Sequence, residues 1–243
     1  MKLDDGAIHI WLAYDAEIPA QAYARFETLL TPEEHARCER FRTEELRHQY
    51  LLARAVLRQV LSGYVPQVQP HEWCFAKGEY DKPELTAPFA VHGLHFNLSH
   101  APGLVALAVG RSALGIDVEN CAVRDPPLEV VRSYFTALEA EGLEALDPAA
   151  QSARFFALWT LKESWLKADG RGLSAGLENV EFVLDAAHRV INVRLAADDA
   201  RLWSFRQWWP SPQHVMALAV RREAMMAAPP QVELRRFEPA PPA

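Results

Sequence analysis

Phe155 to Gly172, reading FFALWTLKESWLKADGRG, limits the possible folds more than any other stretch, because it sets two charged groups on an element that must otherwise be buried. Read as a helix, it places Phe156, Thr160, Glu163 and Lys167 along one face and Phe155, Leu158, Trp159 and Leu166 on a neighbouring apolar face. Asp147-Pro148 marks its start, and Gly170 and Gly172 its end. Glu163 and Lys167 have the spacing of a solvated ion pair worth only about 0.2–0.5 kcal/mol, and spacing alone leaves that reading open beside a functional one. A second acidic pair, Asp117 and Glu119, gives the functional reading its weight.

Leu94 to Ser99, Leu104 to Val109 and Ala113 to Glu119 read as three successive strands of a small antiparallel sheet, the last two joined by Gly110-Arg111-Ser112. Strand alternation sends Asp117 and Glu119 to one face and Ile116 and Val118 to the opposite, buried one. Neighbouring carboxylates repel unless a cation or a proton intervenes, and an oxygen-ligand metal such as Mg²⁺ suits them; the same Asp-x-Glu pattern also occurs as an ordinary solvated strand end. His92, His95 and His100 offer no fourth zinc ligand, and Ser99-His100 lacks a nucleophile elbow. No dinucleotide fingerprint or Walker A motif is present.

Elsewhere, Ile8 to Tyr14 reads as a strand, and Thr31-Pro32-Glu33-Glu34 as a capped helix start. Glu44 to Leu61 reads as a helix with Leu46, Tyr50, Ala53, Leu57 and Val60 on its buried face. Arg47, Arg54 and Arg58 line its flank, with Arg37, Arg40 and Arg42 upstream, either as a solvated face or as an anion site. Lys82-Pro83 sits in the turn-rich span from Val65 to Gly93. Leu128 to Leu143 reads as one helix. Val180 to Leu184, Arg189 to Leu195, Leu202 to Trp209 and Val215 to Arg221 suggest a second antiparallel sheet. Two helix-plus-sheet halves emerge, residues 1–111 and 112–224, followed by a Pro/Ala-rich tail, 225–243, expected to be mobile or loosely docked.

Half of the 243 residues are hydrophobic, enough for a substantial core. A net charge of −7 argues against a general nucleic-acid binder. No apolar run is long enough for a membrane span and no signal-peptide pattern opens the chain, so a cytoplasmic protein is expected. Cys38, Cys74 and Cys121 form neither a disulfide framework nor a thiolate metal site.

Asn97-Leu98-Ser99-His100, Gly115-Ile116-Asp117-Val118-Glu119 and Trp159-Thr160-Leu161-Lys162-Glu163-Ser164-Trp165-Leu166-Lys167, in this order and spacing, resemble the three signature motifs of the Sfp-type 4′-phosphopantetheinyl transferases. Lys82-Pro83, the arginine-bearing helix and Tyr134-Phe135 ahead of Glu139 are also similar to that family. The resemblance implies an α+β fold of two similar halves, each a helix on a small antiparallel sheet, related by a pseudo-two-fold within a monomer. It implies transfer of the 4′-phosphopantetheine arm of coenzyme A to a serine of an apo acyl or peptidyl carrier protein, with adenosine 3′,5′-bisphosphate released. It assigns Asp117, Glu119 and Glu163 to Mg²⁺, with Mn²⁺ as the other candidate, and Glu163 and Lys167 to catalysis. Lys82, Ser99 and His100 are assigned to coenzyme A, and the 3′-phosphate falls to basic residues among Arg37, Arg40, Arg47 and Arg54. Glu34 departs from the pattern, standing where some members carry a lysine. The rival readings are a metal-dependent phosphodiesterase or nuclease, and a non-catalytic carrier-protein or nucleotide-binding module.

Overall fold

The computed structural model describes residues 1–77, 83–85, 87–122, 128–172, 176–196, 199–222 and 228–241. Strand β1 (Ala7–Tyr14) precedes helices α1 (Ala20–Glu27), α2 (Pro32–Cys38) and α3 (Glu44–Tyr64). A short hairpin of β2 (Phe75–Lys77) and β3 (Pro83–Leu85) leads to β4 (His95–Ala101), β5 (Leu104–Gly110) and β6 (Leu114–Asn120). Then come α4 (Val131–Tyr134), α5 (Ala137–Glu144) and α6 (Pro148–Asp169), followed by β7 (Val180–Leu184), β8 (Val190–Leu195), β9 (Trp203–Ser211), β10 (His214–Arg221) and β11 (Gln231–Arg236).

Local chemistry sets the helix ends. At α2 the Thr31 side chain accepts from Glu34 N while Glu34 reaches back to Thr31 N, a capping box with Pro32 in the first turn. Asp147 and Pro148 open α6, and Gly170, at φ +83°, closes it in the left-handed conformation that glycine adopts without strain.

The strands build two main sheets, β11-β1-β5-β4 and β6-β10-β9, with β2–β3 and β7–β8 as separate hairpins. One face of the first sheet, with Val105, Leu107 and Val109, packs against Leu52, Val56 and Leu57 of α3. Its other face, with Ile10, Leu104 and Ala106, meets Ile116, Met216 and Leu218 of the second sheet. The far face of the second sheet, with Val215 and Ala217, lies under Phe155, Leu158 and Trp165 of α6. The layers therefore run helix, sheet, sheet, helix. All seven residues of β5 are buried because both of its faces are covered, and each such Val or Leu contributes about 1.5–3 kcal/mol.

The expected mixture of helix and antiparallel sheet is present, with four corrections. First, β6 does not continue the sheet of β4 and β5; it crosses to pair with β10, burying Ile116 and Val118 between the sheets. Second, β7 and β8 stand apart from β9 and β10. Third, the helix expected from Leu128 to Leu143 breaks at Thr136, whose side chain caps α5 in a second capping box with Glu139. Fourth, the tail holds β11, which pairs in parallel with β1 and is followed by the buried Phe237, so this part is docked and the first sheet is not wholly antiparallel. Leu46, expected in the core, is 46% exposed.

Candidate active site

The site forms where α6 lies directly on β6. Gly115 makes that approach possible: a Cβ there would stand 2.2 Å from the Ser164 carbonyl oxygen and 2.4 Å from the Ala168 nitrogen, so only glycine lets strand and helix backbones touch. The same strand face carries Asp117 and Glu119, and α6 brings Glu163 and Lys167 to meet it. Lys167 Nζ donates to Asp117 Oδ1 at 2.6 Å and to Ser99 Oγ at 3.1 Å. The buried Ser99 hydroxyl donates to Asp117 Oδ1 at 3.0 Å and accepts from Val118 N. Asn97 Oδ1 accepts from Ile116 N at 2.8 Å. Asn97 and Ser99 thus bind the edge of β4 to β6 through side chains, a joining task that the sequence reading did not assign to Asn97.

Glu163 shows the electrostatic consequence. Burial, then the charge of Asp117 and, less strongly, that of Glu119, push its pKa up to about 7, against the opposing pull of Lys167. Asp117 Oδ2 is buried and has no hydrogen-bond partner. Among the described residues, no three His, Cys, Asp or Glu side chains stand in ready-made metal-ligating geometry. The donor set nevertheless suits a hard divalent cation: carboxylate oxygens, one of them orphaned, with enough negative charge to keep Glu163 partly protonated near neutrality.

A cleft of about 510 Å³ opens on the first half and is lined by Arg37, Arg40, Arg54, Arg58, Tyr50 and Cys74, among others. Arg37 and Arg54 lie over the Tyr50 ring at 5.7 and 5.2 Å. The hydroxyl of Tyr50 and Nε of Arg58 are buried without partners, and the buried Arg58 guanidinium otherwise donates to Trp73 O and Glu34. Arg58 is therefore no part of a solvated row. Glu34 closes the α2 capping box and pairs with Arg58 at 2.8 Å and Arg54 at 3.6 Å. Arg47 is exposed and lies off this cleft. His100 reaches solvent, and its pKa is lowered by desolvation, then by Lys167 and Arg54, so cations of both halves converge on it. Lys82 lies outside the described residues.

Sequence reasoning missed one further pair. Lys162, in the middle of the third motif, is fully buried and sits 2.7 Å from Glu139. It also donates to Leu177 O and Val180 O and lies 5.4 Å from the centre of the Phe135 ring. Desolvation lowers its pKa, against the pull of Glu139. The Thr136-x-x-Glu139 capping signature was the available signal, since a cap carboxylate inside an apolar run needs a cation.

Carboxylates and a lysine gather where α6 meets β6, and a separate cleft is lined by arginines. A family model described as 4′-phosphopantetheinyl transferase superfamily matches residues 113–219, and another, described as 4′-phosphopantetheinyl transferase, N-terminal, matches residues 18–112. The 4′-phosphopantetheinyl transferase HetI of Nostoc sp. is 32% identical over 214 residues, covering 88% of this chain and 87% of that protein. The 4′-phosphopantetheinyl transferase Sfp of Bacillus subtilis is 32% identical over 165 residues, covering 68% and 71%. A crystal structure of Thermotoga maritima holo-[acyl-carrier-protein] synthase aligns at 18% identity with a TM-score of 0.37, over 46% of this chain and 64% of that one. The chain belongs to the 4′-phosphopantetheinyl transferase superfamily.

Proposed function

We propose that this enzyme transfers the 4′-phosphopantetheine arm of coenzyme A to a serine of an apo acyl or peptidyl carrier protein, releasing adenosine 3′,5′-bisphosphate. The observation that carries the reading is the convergence of Asp117, Glu163 and Lys167 at the β6–α6 joint. The carrier serine oxygen attacks the phosphorus attached to pantetheine, and the bond from that phosphorus to the bridging oxygen breaks. The serine proton passes to Glu163, directly or through a water. Lys167 stabilises negative charge as it develops on the leaving bisphosphate. Asp117, Glu119 and Glu163 would hold Mg²⁺ or Mn²⁺, which when bound supplies charge neutralisation at the diphosphate.

We assign coenzyme A recognition to the first half, residues 1–111, and the metal and catalytic residues to the second, 112–224. Arg37, Arg40 and Arg54 line one cleft and are the better candidates for the 3′-phosphate; Arg47 is the poorest. Ser99 holds Asp117 in place, and His100 feels the charges of Lys167, Arg54 and Asp117. Lys82 belongs to the same proposed ligand set. One chain supplies every group, which suits a monomer working in the cytoplasm.

Protein incubated with coenzyme A, Mg²⁺ and a panel of apo carrier proteins is expected to add one phosphopantetheine group, read by intact mass. EDTA or Asp117→Ala is expected to abolish the gain while far-UV circular dichroism stays unchanged. No modification of any fatty-acid, polyketide or peptide carrier would defeat the proposal, and transfer by metal-free protein would defeat its metal site.

A further inference from the structure

The three cysteines differ in what they can meet. Cys38 is buried and Cys121 half-buried, and neither lines the arginine cleft, whereas Cys74 is exposed and does. Its thiol donates to Glu72 O at 3.6 Å, a weak sulfur contact that yields readily to an incoming electrophile. Arg58 fixes the chain on either side of it: the guanidinium donates at 2.7 Å to Trp73 O, the carbonyl joined to the Cys74 nitrogen, and lies 5.3 Å from the centre of the Phe75 ring. The segment bearing the sulfur is therefore anchored to the cleft wall by a buried arginine.

The cleft is charged for an anion. Among the described residues four arginines line it against two glutamates, Glu33 and Glu34, and Glu34 is already paired with Arg58 and Arg54. The Tyr50 hydroxyl and Arg58 Nε, in residues 8% and 1% exposed, have no hydrogen-bond partner there. Buried donors are normally paired, and a carboxylate or phosphate seated among these arginines is the kind of acceptor that pairs them. Cys74 adds a nucleophile to that wall, and a positive cleft raises the local concentration of any anion that reaches it.

We propose that Cys74 is a modification site, at which an anionic low-molecular-weight disulfide such as oxidised glutathione is drawn in by the arginines and retained as a mixed disulfide that fills the cleft. The Cys74 thiol gives its proton to solvent, and the thiolate attacks one sulfur of the disulfide. A new S–S bond forms to Cys74 as the old one breaks, and the other half leaves as a thiolate. Cys74 is oxidised and the departing half reduced, so no further oxidant is needed, and excess thiol reverses the exchange. That the adduct shuts out coenzyme A rests on the placement of the 3′-phosphate given under Proposed function.

The test compares two chromogenic disulfides on the full chain, the dianionic dithiobis(nitrobenzoate) and the neutral dithiodipyridine, by stopped-flow absorbance. In the folded protein one thiol is expected to react in a fast phase that Cys74→Ser lacks. Its preference for the anionic reagent should exceed that of free cysteine by at least about tenfold at low salt, and should collapse at high salt or when Arg37→Ala and Arg40→Ala are combined. Oxidised glutathione should add one glutathionyl group, mapped to Cys74 by peptide mass, and abolish coenzyme A binding measured by calorimetry until dithiothreitol removes it. A fast phase that survives in Cys74→Ser, or a reagent preference no greater than that of free cysteine, would overturn the proposal. Should circular dichroism show Cys74→Ser unfolded, peptide mapping of the wild type after brief exposure decides, and label on Cys38 or Cys121 in place of Cys74 overturns the site. Failure of the 3′-phosphate placement leaves a different mark: the Cys74 reaction keeps its arginine dependence, while coenzyme A neither slows it nor is shut out by the adduct.

Discussion

Lys162 and Lys167 sit on one helix and each pairs with a carboxylate, yet the two regions around them are built to opposite ends. Around Lys162 the polar network is closed. Glu139 accepts from Phe182 N at 2.8 Å, from Thr136 N at 2.9 Å and from Lys162, whose other donors reach Leu177 O and Val180 O. Around Lys167 the network stays open: Asp117 Oδ2 has no partner and Glu163 is pushed up to about 7 by burial and its acidic neighbours. A satisfied buried pair ties α6 to α5 and β7. The Lys167–Asp117 pair, with one carboxylate oxygen unpartnered and the lysine 29% exposed, keeps charge in reserve for a ligand.

The largest effect that would break this contrast is on stability. Lys162→Met leaves Glu139 charged in a fully buried site, and removing one partner of a buried pair costs about 3–5 kcal/mol. Urea denaturation should show that loss, and Lys162→Met combined with Glu139→Gln should recover much of it because no uncompensated charge remains. A loss below about 1 kcal/mol for the single variant would mean that the pair is not the closed structural unit described.

Glu163→Gln should move the other way. The folded-state pKa is raised above the ordinary glutamate value of 4.5, so the cost of ionising Glu163 is absent below pH 4.5, grows between pH 4.5 and about 7, and is complete above that. Metal-free Glu163→Gln is therefore expected to be more stable than the wild type at pH 8, by on the order of 3 kcal/mol, and no more stable near pH 4. Transfer by the variant should fall by roughly 10²–10³-fold, the loss typical of a charge-stabilising group in a reaction site. For the wild type, metal affinity should fall as pH drops below about 7, since Glu163 of the metal-free protein must lose its proton to ligate a cation. A variant equally stable at both pH values would show that Glu163 carries no electrostatic load.

The contrast between the two lysines also marks what could be read from the sequence. Asp117, Glu119, Glu163 and Lys167 were legible because alternation on a strand and spacing on a helix fix which side chains share a face. The ends of α2 and α6 were legible for the same local reason, through Thr31, Pro32, Asp147, Pro148 and Gly170. Lys162 was not, because burial of a lysine depends on what packs over it, and Glu139 and Phe135 come from another element. The crossing of β6 to β10 and the docking of β11 on β1 were hidden too: period-two patterning gives a strand its faces but not its partner. Arg47, Arg54 and Arg58 look alike on a helical wheel. Trp73 and Pro70, which accept hydrogen bonds from the Arg58 guanidinium, separate it from the others, and only the folded chain brings them there.

That separation yields the smallest expected effect. Arg54 lines the cleft, lies over Tyr50 and acts on His100, whereas Arg47 is exposed and does not line the cleft. A hydrogen bond to a charged group contributes about 1.5–3 kcal/mol, so Arg54→Ala should raise the KM for coenzyme A by ten- to a hundredfold with little change in kcat. Its fold should survive, because Glu34 keeps the shorter bridge to Arg58. Arg47→Ala should stay within about 0.5 kcal/mol of the wild type, as surface substitutions do. Dephospho-coenzyme A sharpens the comparison, since a cleft that grips the 3′-phosphate predicts that Arg54→Ala loses its penalty with a substrate lacking that group. Equal penalties for both substrates would place Arg54 elsewhere on the ligand, and equal penalties for Arg47 and Arg54 would show that the row acts as a diffuse positive field rather than through one cleft.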